Sequence, residues 1–191
     1  MSARRIAKPF PKGYSNAEQA ALRRHGGCAS RGQVGSMETL RFVKKDFGEL
    51  SIEELYAFLK LRSDVFIVEQ ACAYADIDDR DRDAHHVWIE RNGGVAAYLR
   101  VMDRGVESEY VSIGRVVVKD RGCGLGRLVM EAGIRAAAER FHAGSIYLEA
   151  QKYAEGFYRK LGFRAISDEF VQDGIPHVRM LRDPDGEREE P

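Results

Sequence analysis

The tightest constraint on the fold lies between residues 111 and 151. There an apolar run, VSIGRVVV, ends in the loop KDRGCG, passes into an amphipathic segment and returns to a second apolar run, SIYLEAQ. Leu125, Leu128, Val129, Ala132 and Ala136 recur at three- and four-residue steps, so residues 124–141 read as one helix with a single core face. A strand, helix, strand unit of this length makes two parallel strands with a right-handed crossover. That places the glycine loop at the carboxyl end of its strand.

The preceding sequence reads as strands and one helix. TLRFVKKDF has strand character, and Ser51 to Gln70 a helical period, with Ser51 and Glu54 as a capping box and Leu55, Phe58, Leu59 and Phe66 on one face. HHVWIERN and GVAAYLRVMD are strands joined at Asn92-Gly93, a two-residue hairpin signal, and EYVSIGRVVVKD continues the antiparallel series. After SIYLEAQ come a short helix, AEGFYRKLGF, ended by Gly162, and two strands around RAISDEFVQ and PHVRML. The expected fold class is α/β, with a mixed, mostly antiparallel sheet.

With 44% hydrophobic residues the chain suits one sizeable core. Lysine plus arginine equal aspartate plus glutamate at 30 each, so no net charge draws it to nucleic acid or an anionic membrane. No apolar run approaches the ~20 residues of a membrane helix. Three scattered cysteines, Cys28, Cys72 and Cys123, suit neither a disulfide framework nor a metal knuckle, and the expected compartment is the reducing cytoplasm. Residues 1–36 carry five Arg and two Lys against one Glu and few large aliphatics, and read as a disordered basic extension. Their composition also suits an organellar leader, and the alternative is that Met37 is the natural start. The expected domain is 37–184, followed by a charged tail, 185–191.

Glycines 122, 124 and 126 let the backbone approach a ligand closely. The unpaired first-turn N–H groups of the following helix and its positive dipole end attract phosphate, and Arg121 and Arg127 reinforce that sign. The order is neither that of a P-loop nor that of a first-strand dinucleotide fingerprint. A plain strand-to-helix turn accounts equally well for the loop taken alone.

The spacing RxxGxG, followed by Q-x-x-A-x-x-x-Y-x-x-x-G-F from Gln151 to Phe163, resembles the GNAT superfamily of acyl-CoA-dependent N-acyltransferases. LRSDVFIVEQ, YADIDDRD, IGRVVV and DGIPHVRM extend the resemblance to the ElaA-like branch across roughly residues 40–181. It implies helices on both sheet faces and one parallel strand pair that splays. It also implies acetyl-CoA as cosubstrate, with the pantetheine arm held by the backbone of Val116 and Val118. The pyrophosphate would be cradled by Arg121, Gly122, Cys123, Gly124, Gly126 and Arg127, and Gln151 would also bind the cosubstrate. Tyr158 would meet the sulfur. Cys123 is read as a small loop residue, not a nucleophile. Gln151 stands where many relatives have asparagine.

An amine attacking a thioester expels a thiol of reference pKa ~8.5, and Tyr158, with a reference value of ~10, can donate a proton to it. An ammonium acceptor must first lose its proton, and the candidate bases are Glu69, at the end of the first helix, His177 and Glu149. Asp79, Asp81, Asp83 and Glu90 mimic EF-hand positions, but Ala84 replaces the turn glycine and HHVWIE has strand period, so no metal is expected. The acidic loop 76–83 is read as solvated or as steering a cationic acceptor, with one of His85 and His86 facing solvent.

The expected activity is direct transfer of acetyl to a small-molecule, polyamine or peptide amine in a ternary complex, by a monomer or homodimer. The alternatives are a non-catalytic acyl-CoA sensor and an enzyme resembling acyl-homoserine-lactone synthases.

Overall fold

The computed structural model describes residues 39–72 and 74–184. The expectations for residues 1–36 and 185–191 lie outside the described residues. Eight strands form one sheet: β1 (Leu40–Asp46), β2 (His85–Arg91), β3 (Gly94–Met102), β4 (Val111–Val118), β5 (Ile146–Gln151), β6 (Arg164–Ala165), β7 (Phe170–Gln172) and β8 (Ile175–Arg182). Their order is β1-β2-β3-β4-β5-β8-β6, with β7 also paired to β8. Every pairing is antiparallel except β4 with β5.

The local signals act where the sequence places them. Asn92 and Gly93 take φ of 54° and 83°, the two positive values of a type I′ hairpin, and turn β2 into β3. Ser51 accepts from the Glu54 amide while the Glu54 carboxylate accepts from the Ser51 amide, closing the capping box of α1 (Ile52–Arg62). The α-helix is shorter than the periodicity predicts, because Ser63–Glu69 winds more loosely and the Gln70 amide reaches back to the Val65 carbonyl. Its buried face is Phe58, Leu61, Arg62 and Val65, with Leu55, Leu59 and Phe66 only partly covered.

α2 (Leu125–Phe141) and α1 cover opposite faces of the sheet. Tyr98 and Leu99 are successive in β3 and therefore point to opposite sides. Tyr98 stacks on Phe58 of α1, with centroids 4.5 Å apart, in a cluster with Val43, Trp88 and Val117. Leu99 meets α2 at Gly133, where an added Cβ would lie 2.7 Å from Leu99 Cδ2, so only glycine lets helix and sheet come this close. A third, short helix, α3 (Glu155–Arg159), follows β5.

The acidic loop is solvated only in part: Asp79 and Asp83 are exposed, but Asp76, Asp78 and Asp81 turn inward. Asp76 and Asp81 are buried and pair with arginines from the core: Arg62 Nε donates to Asp76 Oδ2 at 2.9 Å, and Arg62 Nη1 to Asp81 Oδ1 at 2.7 Å. Arg100 is also fully buried and forks onto both oxygens of Asp78 at 2.7 Å. Carboxylates that read as solvated along the chain are partners of two arginines that the fold takes out of water.

Neither His85 nor His86 faces solvent. His85 Nδ1 lies 2.7 Å from Asp46 Oδ1, and His86 is wholly buried. His86 Nε2 contacts the Asp81 carbonyl at 3.0 Å, which can only accept, so the proton sits on Nε2 and Nδ1 accepts from the Tyr98 hydroxyl at 2.8 Å. Burial pulls His86 down to about 4, whereas an unfolded histidine titrates near 6.5. Between those values the unfolded chain takes up a proton that the folded chain refuses, so stability falls as pH drops. The expected loss from this group is about 2 kcal/mol between pH 7 and pH 5. Burial raises Asp78 but the Arg100 and Arg115 contacts outweigh it and hold the group at about 2, leaving it ionised throughout. Urea unfolding at the two pH values checks this; equal free energies would show that His86 charges freely in the native state.

Candidate active site

The parallel pair is hardly a pair. β4 and β5 are in register only at Val111 with Ile146 and Ser112 with Tyr147, after which β4 runs on to Val118 and β5 to Gln151 without pairing. The cause lies in β4. Between Tyr98 and Arg100, β3 advances two residues while the facing β4 positions go from Val117 to Gly114, three residues, so β4 carries one extra residue as a bulge. Arg115 sits in that bulge at φ 55°. The bend turns β4 away from β5 and leaves unpaired main-chain groups along the gap.

The glycine loop stands at the end of β4. Gly122 and Gly124 have φ of 81° and 75°, a conformation that side chains oppose, and Gly124 is the N-cap of α2 without any side-chain cap. The first-turn amides of α2 therefore point out of the helix unclaimed by a capping side chain. Gly126 lies close under Val118 and Phe157, its Cβ position 3.7 Å from Val118 Cγ1. Arg127 is exposed and pairs with Glu131 at 2.7 Å, and exposed Arg121 pairs with Glu69 at 2.5 Å.

A cavity of about 330 Å³ opens from the gap. Among the predicted site residues it is lined by Val116, Gln151, Tyr158 and His177, together with Glu149. Tyr158 packs edge-on against Phe157 and Phe163, with centroids 5.1 and 6.1 Å away, and its hydroxyl makes no hydrogen bond among the described residues. Burial pushes the Tyr158 phenol above its ordinary value, so it keeps its proton at neutral pH. His177 faces Gln151 across the β5–β8 register and stacks near Phe170. His177 Nδ1 contacts the Ile175 carbonyl at 2.8 Å and must carry the proton there, which leaves the Nε2 lone pair available. Glu149 Oε1 accepts from the Tyr147 hydroxyl at 2.8 Å.

Glu69 does not join them. It lies outside the cavity lining, at the loosely wound end of the first helix, with its carboxylate on Arg121. Sequence reading missed Arg115, Tyr74, Tyr147 and Gln70, all of which line the cavity. Gln70 accepts from the Gln151 amide at 3.2 Å, closing one side of the gap. Nothing local marks these residues, because each is brought in by pairing between segments far apart in the chain.

The profile of the acetyltransferase (GNAT) domain family matches residues 45–183. This chain belongs to that family. It is 37% identical over 139 residues to protein ElaA of Escherichia coli, covering 71% of this chain and 91% of that one. The crystal structure of E. coli ElaA superposes with a TM-score of 0.71 at 34% identity, over 76% of this chain and 100% of the other. An acyl-CoA N-acyltransferase from Pseudomonas aeruginosa superposes equally well, with a TM-score of 0.71 and 39% identity over 75% of this chain and 99% of that one. The mixed sheet with its single parallel pair is thus the GNAT fold, and the chain is an ElaA-like acyltransferase of a family that uses acyl-CoA.

Proposed function

We propose that this GNAT protein is an acetyl-CoA-dependent N-acetyltransferase that passes acetyl directly to an amine in a ternary complex. The acceptor is a small-molecule, polyamine or peptide amine, and the protein acts in the cytoplasm as a monomer or homodimer. The observation that carries the reading is the β4–β5 gap, with the uncapped, glycine-led start of α2 at one end and Tyr158 and His177 lining the cavity beside it.

The residues present fit the cosubstrate. Unpaired main-chain groups of Val116 and Val118 would hold the pantetheine arm in the manner of a missing strand partner. The amides from Gly122 to Arg127 and the dipole of α2 suit a diphosphate, and exposed Arg121 and Arg127 are free to turn from Glu69 and Glu131 toward it. Bound acetyl-CoA supplies a thioester carbon open to attack by an amine. Tyr158 offers its hydroxyl proton to the departing sulfur, and His177 Nε2 takes the proton the amine sheds. Glu69 is better read as a resting partner of Arg121 than as the base.

Calorimetry of the pure protein with acetyl-CoA, followed by thiol release across simple amines, polyamines and peptides, tests the reading. Saturable heat and acceptor-dependent thiol release are expected. Binding without release to any acceptor would favour a sensor, and no heat would remove the donor altogether.

A further inference from the structure

Arg115, in the β4 bulge beside the gap, holds a backbone conformation that an arginine does not favour. At φ 55° its Cβ crowds its own backbone, and such residues persist where surrounding structure holds them. The surroundings here are specific. Arg115 Nε lies 2.8 Å from Asp76 Oδ1, Nη2 lies 3.1 Å from Asp78 Oδ2, and the guanidinium sits over the Tyr74 ring at 5.2 Å. The Tyr74 hydroxyl in turn donates to Asp76 Oδ1 at 2.9 Å. Both aspartates are anchored from behind: Asp76 by Arg62 of α1, through its carboxylate and its carbonyl, and Asp78 by the fork of Arg100 of β3. The support thus runs from two fully buried arginines through the acidic loop to one strained residue, three positions beyond the last β4–β5 pair at Ser112.

We infer that the acidic loop, residues 76–81, is a positioning device that clamps Arg115 in the left-handed region and so holds the β4 bulge, and with it the donor gap, open before any ligand arrives. This rests on the acyl-CoA reading of the gap and adds that Arg115 acts on the donor through its backbone, not through contact with it. Asp76 and Asp78, in a loop that reads along the chain as solvated or as steering an acceptor, have a different employment: they keep one peptide unit turned out of the sheet. With the clamp gone, Arg115 would return to extended geometry, the bulge would relax, and β4 would pair further along β5 over the groups that otherwise await the pantetheine arm.

Alanine and glycine at position 115 separate conformation from contact. Both remove the guanidinium and all its partners, but only glycine adopts positive φ without strain. Acetyl-CoA affinity by calorimetry is expected to be at least ~10-fold weaker in Arg115→Ala than in Arg115→Gly. A second measurement uses Asp76→Asn, which loosens the clamp: adding Arg115→Gly to it is expected to recover most of the lost affinity. In both comparisons KM for the donor moves while kcat at saturating donor changes little. Equal affinity in the alanine and glycine variants, or an Asp76→Asn loss that glycine does not recover, overturns the inference and leaves the donor reading standing. Failure of the unsubstituted protein to bind acetyl-CoA overturns both.

Discussion

Replacing Tyr158 with phenylalanine is expected to lower the rate of thiol release with a saturating amine by about 100-fold and to leave acetyl-CoA affinity within a factor of ~3. The reason is positional. The Tyr158 ring is held by its edge contacts with Phe157 and Phe163, which phenylalanine reproduces. Its hydroxyl bonds to nothing among the described residues, so losing it leaves no buried partner stranded and should not weaken the fold. What disappears is the proton donor, which burial keeps in its neutral form well above neutral pH. Steady-state kinetics beside calorimetry make the check. An unchanged rate would take Tyr158 out of the chemistry and leave it a packing residue, while a fall in rate matched by lost affinity would mean that the ring, not the oxygen, is at work.

The largest stability effect is expected at Arg62. It is wholly buried and satisfied on three sides, by the Asp76 carboxylate, the Asp76 carbonyl and Asp81, whose side chains are themselves only 7% exposed. Arg62→Ala removes one cation and leaves two carboxylates out of water. Breaking a buried pair from one side costs about 3–5 kcal/mol. Asp81 keeps a contact with Arg100 at 3.2 Å and Asp76 keeps Arg115, so the lower end, ~3 kcal/mol, is expected. In a domain of this size that corresponds to a melting temperature lower by about 10 °C. Thermal unfolding of the variant decides it, and a melting point within ~2 °C of the parent would mean that the loop carboxylates find water once the arginine is gone.

How much of this could be read along the chain depended on the range of the interaction. The Ser51–Glu54 capping box, the Asn92-Gly93 hairpin and the glycine N-cap of α2 each involve residues within a few positions of one another, and each forms as the pattern predicts. The GNAT resemblance rests on RxxGxG and on the spacing from Gln151 to Phe163, both local. The acidic loop misled for the opposite reason. Nothing near Asp76, Asp78 or Asp81 reveals that Arg62 lies behind two of them and Arg100 behind Asp78 and Asp81, because those arginines arrive from α1 and β3 only when the sheet assembles. Likewise nothing along the chain reveals the pairing of Glu69 with Arg121, because the glycine loop reaches the end of the first helix only on folding.

The order of periods along the chain was therefore enough to determine a mixed α/β domain with one crossover, a glycine loop at a strand's end and a tyrosine in the following short helix, since dihedral preference and side-chain periodicity act between near neighbours. Only the tertiary structure decided where β4 parts from β5, that Tyr158 and His177 share a cavity, and that a buried set of ion pairs lies beside the parting. Strand register, burial and charge pairing belong to segments that meet only on folding.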